Sequence, residues 1–141
     1  MTTKHAGANY KRLLPFIEAV DATPDKHFRF EADGYMPLSI ENVGYTFGGS
    51  PVYSMMHYYV QCGDLVRDPE MTFAVLRGPG EIIPLSYCQS SPPIFQEVYY
   101  DGGGWRYSLL LDLDEFLFEW IKNILSQGFD PNQAANAAKS F

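Results

Sequence analysis

The sequence predicts a single α+β domain with a mainly antiparallel sheet of about five to six strands. Short alternating strands joined by tight turns fill the middle of the chain, and a helical pattern of apolar residues lies at each end. The length of 141 residues is that of one ordinary domain, which buries roughly 68–70% of its unfolded surface. We therefore expect an N-terminal helix and a long C-terminal helix packed on the sheet.

The first predicted element is an amphipathic helix. Residues 1–8 are small and polar, so we expect them to be disordered. From Tyr10 onward, apolar side chains follow the spacing of one helix face. Because Pro15 lies within this pattern, the helix either begins near Leu14 or is kinked there.

A predicted hairpin follows the helix. Residues 27–32 alternate between apolar and polar side chains, and Asp33 and Gly34 then supply a hairpin turn. The returning strand passes through Pro37, which has no N–H to donate to a neighbouring strand. This strand is therefore expected at the edge of the sheet, or with Pro37 on its solvent side.

The central strand is predicted at residues 52–60, which are apolar or aromatic at almost every position. Such a run is typical of a strand covered on both faces. Gly63 and Asp64 supply the chemistry of a turn, and Asp68 and Pro69 indicate a second reversal. We expect two strands joined by an acidic connection.

Three further strands are expected after this connection. Residues 71–75 alternate as a returning strand would, and residues 81–88 and 96–100 follow turn signals rich in glycine and proline. With the earlier elements, these strands complete a sheet in which neighbours along the chain run in opposite directions.

The strongest helix pattern lies at residues 109–127, and Gly128 is placed to end it. One stripe of this helix is apolar and comprises Leu110, Leu113, Leu117, Trp120, Ile121 and Ile124. Asp130 and Pro131 then indicate a short helix that ends near Lys139. We therefore divide the chain into a disordered start (1–8), one domain (9–129) and a short helical tail (130–141).

Composition and charge exclude several classes of protein. The net charge is −7, from 17 acidic and 10 basic residues, which opposes attraction to a nucleic-acid backbone. Cys62 and Cys88 are too few for a disulfide framework, and the N-terminus lacks the pattern of a secretory signal. No apolar run approaches the roughly 20 residues of a membrane-spanning helix. We expect a cytoplasmic protein with reduced thiols, no membrane association and no cofactor.

Several segments together resemble the bacterial domain-of-unknown-function family DUF6908. They are HYYVQCGDLVRDPEMTF (57–73), IPLSYCQ (83–89), IFQEVYY (94–100) and WIKNILSQGF (120–129). The resemblance covers roughly residues 30–129, and its most specific part is the GDL-x-RDPEM core at 63–71. It implies a small accessory protein of bacteria, their plasmids or phages, without an established activity. Cys62 stands where the family pattern has asparagine, which weakens any shared chemistry of a side-chain amide there.

Four residues near the central strand are candidates for a catalytic or metal site. His57, Asp64, Asp68 and Glu70 are the residue types that coordinate a divalent cation or transfer protons near neutral pH. Asp64, Asp68 and Glu70 are the candidate metal ligands, although their spacing matches no known metal signature. In the alternative interpretation, the aspartates cap turns, Arg67 pairs with a carboxylate and His57 packs in the sheet.

Two surfaces are candidates for binding. The predicted ligand or partner surface consists of Tyr58, Tyr59, Arg67, Tyr87, Glu97 and Tyr99. The predicted acidic helix face, which could occupy a basic surface of a host enzyme, consists of Asp112, Asp114, Glu115 and Glu119. The competing interpretations are tyrosines that belong to the core and an ordinary solvated helix face.

These observations favour a binding protein over an enzyme. The preferred function is binding of a host protein partner or a small ligand, by a small acidic accessory protein. The alternative is a metal-assisted hydrolase, or another enzyme, with its site around His57, Asp64, Asp68 and Glu70. Self-association through an open sheet edge is also compatible with the sequence.

Overall fold

The computed structural model describes residues 2–100 and 102–138 and confirms the α+β fold class. The elements in chain order are α1 (Ala6–Asp21), β1 (His27–Phe30), β2 (Leu38–Phe47), β3 (Ser50–Gln61), β4 (Asp64–Leu76), β5 (Glu81–Gln89), β6 (Ile94–Glu97), β7 (Tyr99–Tyr100), β8 (Gly104–Trp105), α2 (Tyr107–Ser126) and α3 (Asn132–Ala138). Strands β1 to β6 form one antiparallel sheet in chain order, and β7 pairs with β8.

Strand β2 is internal, since it lies between β1 and β3. The prediction that Pro37 marks an edge strand is therefore wrong. Pro37 precedes Leu38, the first residue of β2, so its missing N–H removes no hydrogen bond from the ladder. The two edges of the six-stranded sheet are β1 and β6.

Helix α1 begins earlier than the apolar pattern predicts. It starts at Ala6 and runs through Pro15 to Asp21, so the expected start near Leu14 is wrong. Thr3 and Ala6 are buried, and the Thr3 hydroxyl donates a hydrogen bond to Asp114. The expectation of a disordered start is corrected for residues 3–8, because these contacts hold them against α2.

The core lies between α1, α2 and one face of the sheet. The predicted apolar stripe of α2 is buried along its whole length. It packs with sheet residues that include Met55, Met71, Phe73 and Ile82 and with Phe16 of α1. Full burial of one such side chain stabilises the fold by about 1.5–3 kcal/mol. These contacts fix α1 and α2 on one face, and no described helix covers the other face of the sheet.

The β3–β4 hairpin extends beyond the core. Residues 52–55 are all buried, but Tyr59 and Val60 are exposed. Coverage of both faces, predicted for the whole central strand, therefore applies to its first half alone. Cys62 and Gly63 form the two-residue turn, with φ of 53° and 83°, and two positive φ angles are the mark of a type I′ turn.

We expect Cys62→Asn to raise the free energy of unfolding by about 0.5–1 kcal/mol, because asparagine adopts the left-handed region more readily than cysteine. Urea denaturation of both proteins measures the difference. Cys62→Ser removes the same thiol without this conformational preference and should leave stability unchanged. A loss of stability in Cys62→Asn would contradict the turn assignment. The asparagine that the resemblance implies at this position would suit the backbone of this turn.

The reversal predicted at residues 68–69 is wrong, because β4 continues through this point as one strand. The pairing shifts here: β3 advances two residues, from Met56 to Tyr58, while β4 advances three, from Arg67 to Glu70. This is a β-bulge, which accommodates a proline inside a strand and redirects the neighbouring side chains.

Helix α3 packs against β1 through its side chains. Gln133 Oε1 accepts from the Glu31 N–H at 2.7 Å, and Gln133 Nε2 donates to the Glu31 carbonyl at 3.2 Å. Phe129, which precedes α3, and Ala134 within α3 are buried. The predicted helix end near Lys139 lies outside the described residues. Among the described residues, no helix is long and apolar enough to cross a lipid bilayer.

Candidate functional site

A row of polar residues crosses the sheet on its open face, the face opposite α1 and α2. The strand register aligns one residue from each strand, namely His27, Glu41, Ser54, Thr72, Ser86 and Glu97. Directly paired residues of antiparallel strands project to the same face, and their neighbours along each strand project to the other. Tyr53 and Phe73 accordingly enter the core, so the open face is the polar side of the sheet.

A network of hydrogen bonds and one ion pair around Glu70 lies beside this row. Ser54 donates its hydroxyl to Glu70 Oε2 at 2.8 Å, and Arg67 Nε lies 3.0 Å from Glu70 Oε1. The β4 bulge brings Arg67 and Glu70 to the same face. Thr72 and Ser86 join their hydroxyl groups at 2.5 Å. Because Arg67 and Glu70 form an ion pair, they add no net charge to the open face.

A cavity of about 540 Å³ lies over this network, and we call it the open-face cavity. Its floor includes Glu70, Ser86 and Glu97, and its wall includes Phe47 and Tyr99. The Phe47 and Tyr99 rings are 4.5 Å apart at 45°. The volume falls within the range of small-molecule and side-chain binding sites.

Tyr99, which lines this cavity, carries a buried polar group. Its hydroxyl oxygen is buried, and no group among the described residues hydrogen-bonds to it. Burial raises the pKa of Tyr99 to about 12, so the hydroxyl stays protonated at neutral pH. Buried polar atoms normally have a partner. The Tyr99 oxygen is an exception, and it is closed to solvent by the atoms around it.

A second cavity of about 620 Å³, the edge cavity, lies on the other side of β6. It shares Phe95, Glu97 and Tyr99 with the open-face cavity. Arg106 lies over the Tyr100 ring at 4.4 Å and donates to the Glu97 carbonyl at 3.0 Å. The two cavities thus border β6 and form one groove around it.

The structure does not bring the four candidate catalytic residues together. His57 pairs with Leu38 and packs near Trp120 and Phe129, with both ring centroids at 5.6 Å, on the helix side of the sheet. Glu70 projects to the open face. His57 Nδ1 faces the carbonyl groups of residues 36 and 37 at 3.2 and 3.3 Å. Burial lowers the pKa of His57, which keeps the ring neutral.

The two aspartates are also separated. Asp64 is exposed beside the hairpin turn, where it pairs with Gln61. Asp68 is exposed on the bulge. Burial raises the pKa of Tyr87, and the negative charge of Asp68 raises it further. In the part of the chain that the structure describes, no three His, Cys, Asp or Glu residues lie together as metal ligands would. The geometry favours the structural interpretation of this cluster.

The residues of the predicted partner surface are also separated in the structure. Arg67, Glu97 and Tyr99 line the open-face cavity. Tyr58 is also on the open face, beneath Arg29 at 5.8 Å, and the exposed Tyr59 lies near the end of the hairpin.

Tyr87 lies apart from the other members of the predicted partner surface, because it projects to the helix side. Its ring meets Phe116 edge-on at 5.4 Å, and its hydroxyl donates to Gln89 at 2.5 Å. Half of the predicted surface therefore lines the open-face cavity, and the other half does not.

The predicted acidic helix face is not a continuous exposed surface. Asp114 is 2% exposed and accepts hydrogen bonds from the Thr3 hydroxyl at 2.5 Å and the His5 amide at 2.9 Å. Glu115 contacts the His5 ring at 2.6 Å. Asp112 lines the edge cavity, and Glu119 is exposed. The Asp114 carboxylate therefore accepts hydrogen bonds from the residues that lead into α1. Backbone N–H groups at the start of a helix lack helical partners.

The sequence did not single out Phe47, Phe95 and Arg106 as site residues. They lie on separate elements whose proximity depends on strand register and on the β7–β8 turn. An available signal was the alternation in β6, which directs Phe95 and Glu97 to one face. Pairing partners cannot be read from alternation alone.

The fold and the groove define a small α+β domain with a polar open sheet face and one exposed edge strand. The chain belongs to the DUF6908 family, described as a domain of unknown function, whose model matches residues 8–130. This confirms the resemblance drawn from the 57–73, 83–89, 94–100 and 120–129 segments. No curated protein and no solved structure matches the chain.

Proposed function

We propose that this domain is a binding module that holds an extended segment of a partner protein along β6. The observation that carries the proposal is the position of β6: all four of its residues are exposed, and a cavity lies on each side of it. An exposed edge strand is a template for an added strand, and flanking cavities supply the side-chain specificity of that binding mode.

The backbone of Phe95 is the expected contact point. The Val98 N–H points toward β5, where it donates to Leu85 O at 2.8 Å. The Glu97 carbonyl points away from the sheet, where it accepts from Arg106. Because backbone groups alternate along a strand, Phe95 and Glu97 direct theirs to the open edge. Arg106 occupies the Glu97 carbonyl. Within the described residues, this leaves both backbone polar groups of Phe95 for an incoming strand.

The charge of the groove favours a basic segment. Glu97 and Asp112 add two carboxylates, Arg67 is paired with Glu70, and Arg106 is the remaining cation of the lining. The whole chain also carries a net charge of −7. The resemblance implies an origin in bacteria or their mobile elements, and on that basis we take a cytoplasmic host protein as the partner.

Selection from a phage-displayed library of random linear peptides tests the proposal. We expect wild-type protein to enrich peptides that contain basic residues. Phe95→Pro, which removes the outward N–H, should bind an enriched peptide about ten-fold more weakly than Phe95→Ala, which keeps it. Calorimetric titration with the synthetic peptide measures both affinities.

Tyr35→Ser is the matched control, since Tyr35 is exposed but lies outside the groove, and it should bind like the wild type. Urea denaturation verifies that each variant is folded. Equal affinities for Phe95→Pro and Phe95→Ala would exclude strand addition. Concentration-dependent dimers that Phe95→Pro abolishes would replace the partner by a second copy of the chain and contradict the proposal.

A further inference from the structure

We propose that the partner segment is anchored by an apolar side chain that enters a third cavity, between β6 and α2. This inference rests on the proposed function, because the side chain belongs to the strand added along β6. The cavity has a volume of about 230 Å³, and we call it the helix-side cavity. The observation behind the proposal is that this cavity borders the open edge of the sheet on the face toward which alternate residues of an added strand point.

The floor of the helix-side cavity is apolar. Leu109, Leu113 and Phe116 follow one another on α2 at intervals of four and three residues, so they share one face of the helix. The ring of Tyr87 contacts Phe116 edge-on at 5.4 Å and continues this surface onto β5. Phe116 is 38% exposed, so its ring offers apolar surface to an incoming group. Small-molecule sites are typically about 300–1,000 Å³, and this smaller cavity suits a single side chain.

The pleat of the sheet determines which residue of the segment reaches this cavity. Glu97 pairs with Ser86 on the open face, so its neighbour Gln96 projects toward α2. Gln96 accordingly lines the helix-side cavity. The segment pairs through the backbone of Phe95, and one residue next to that pairing point lies beside Gln96. Residues that lie side by side on neighbouring strands share a face, so this residue points toward α2.

The chemistry of the lining favours an apolar side chain at this position. Gln96 and Asp112 are the polar residues of the lining, and both are exposed to water. An ion pair with an exposed carboxylate contributes little to affinity. An apolar side chain, by contrast, removes its own surface and that of Leu109 and Phe116 from water. A charged group in contact with these two residues would lose water without gaining a partner.

Two pentapeptides that differ in the central residue test this inference by titration, followed by two-dimensional NMR. They are acetyl-Thr-Lys-Leu-Lys-Thr-amide and the same peptide with alanine in place of leucine, so both carry the basic residues of the proposed function. We expect the leucine peptide to shift the amide signals of Leu109, Leu113 and Phe116 together with that of Phe95. It should bind about five-fold more tightly than the alanine peptide. A peptide with lysine at the central position should also bind about five-fold more weakly than the leucine peptide.

Phe116→Ala removes the exposed ring of the cavity and should abolish the preference for leucine over alanine. Leu111→Ala is the matched control, because Leu111 is 41% exposed on the same helix and does not line the cavity. It should keep the five-fold preference. Urea denaturation verifies that both variants are folded, and the comparison of the peptides on the wild type requires no variant. Equal affinities of the leucine and alanine peptides for the wild type would overturn the inference, as would equal losses of the preference in the two variants.

The outcomes separate this inference from the proposed function. Shifts along β6 with equal affinities of the leucine and alanine peptides would leave strand addition intact and refute the helix-side cavity. A preference for leucine that shifts the α2 signals but leaves Phe95 unchanged would support the cavity as an apolar site and refute strand addition. Absence of shifts with both peptides would refute the two proposals together.

Discussion

Asp114→Ala is expected to lower the free energy of unfolding by about 3 kcal/mol, because it leaves buried donors without their charged acceptor. The Asp114 carboxylate accepts from the Thr3 hydroxyl and the His5 amide, and both donors precede α1. Alanine retains the helix propensity of α2. Thermal unfolding should show a decrease in Tm of about 10 °C, and urea denaturation gives the free energy.

The control is Asp112→Ala, on the same helix but exposed, and it should change stability little. Hydrogen exchange adds a local measurement, since the amides of residues 3–9 should lose protection in Asp114→Ala before the sheet does. Equal stability of the two alanine variants would show that Asp114 does not anchor the N-terminus.

Much of the fold follows from local patterns. The α2 stripe from Leu110 to Ile124 predicts a buried helix face, because each residue returns to the same side after three or four positions. Alternation of apolar and polar side chains predicts the strands, because successive residues of a strand point to opposite faces. These patterns act over a few residues, and the sheet connects neighbours along the chain, so local information is nearly sufficient for the topology.

The candidate site depends on contacts that local patterns do not contain. Asp114 binds Thr3 across 111 positions in the chain, and nothing near either residue indicates the other. His57 and Glu70 lie on neighbouring strands, yet the one-residue bulge and the register place them on opposite faces. A shift of one residue reverses the face of every side chain that follows. A catalytic cluster inferred from sequence proximity is therefore sensitive to a single bulge.

The same sensitivity explains why Glu97 and Tyr99 were predicted as part of a surface while Phe47 and Phe95, which line the same cavity, were not. The register of Glu97 opposite Ser86 and its shared cavity with Phe47 and Tyr99 join residues from β2, β5, β6 and β7. The single strand predicted at 96–100 is wrong, because the structure divides this segment between β6 and β7, which belong to different sheets. The place where these residues come together depends on how all the strands of the sheet pair.

Trp120→Ala is expected to cost about 3–5 kcal/mol of stability, the range for truncation of a large buried aromatic side chain. Trp120 is 5% exposed and lies between His57 and Phe116, with ring centroids at 5.6 and 6.0 Å. Alanine would leave a cavity between α2 and the helix side of the sheet. Urea denaturation measures the loss.

Trp120→Phe separates packing from hydrogen bonding. The indole N–H has no acceptor among the described residues, so phenylalanine removes ring volume without breaking a hydrogen bond and should cost about 1–2 kcal/mol. Leu111→Ala, at a 41% exposed position of α2, should change stability by less than about 0.5 kcal/mol. If Trp120→Phe were as damaging as Trp120→Ala, the indole would have a partner and burial alone would not explain its contribution.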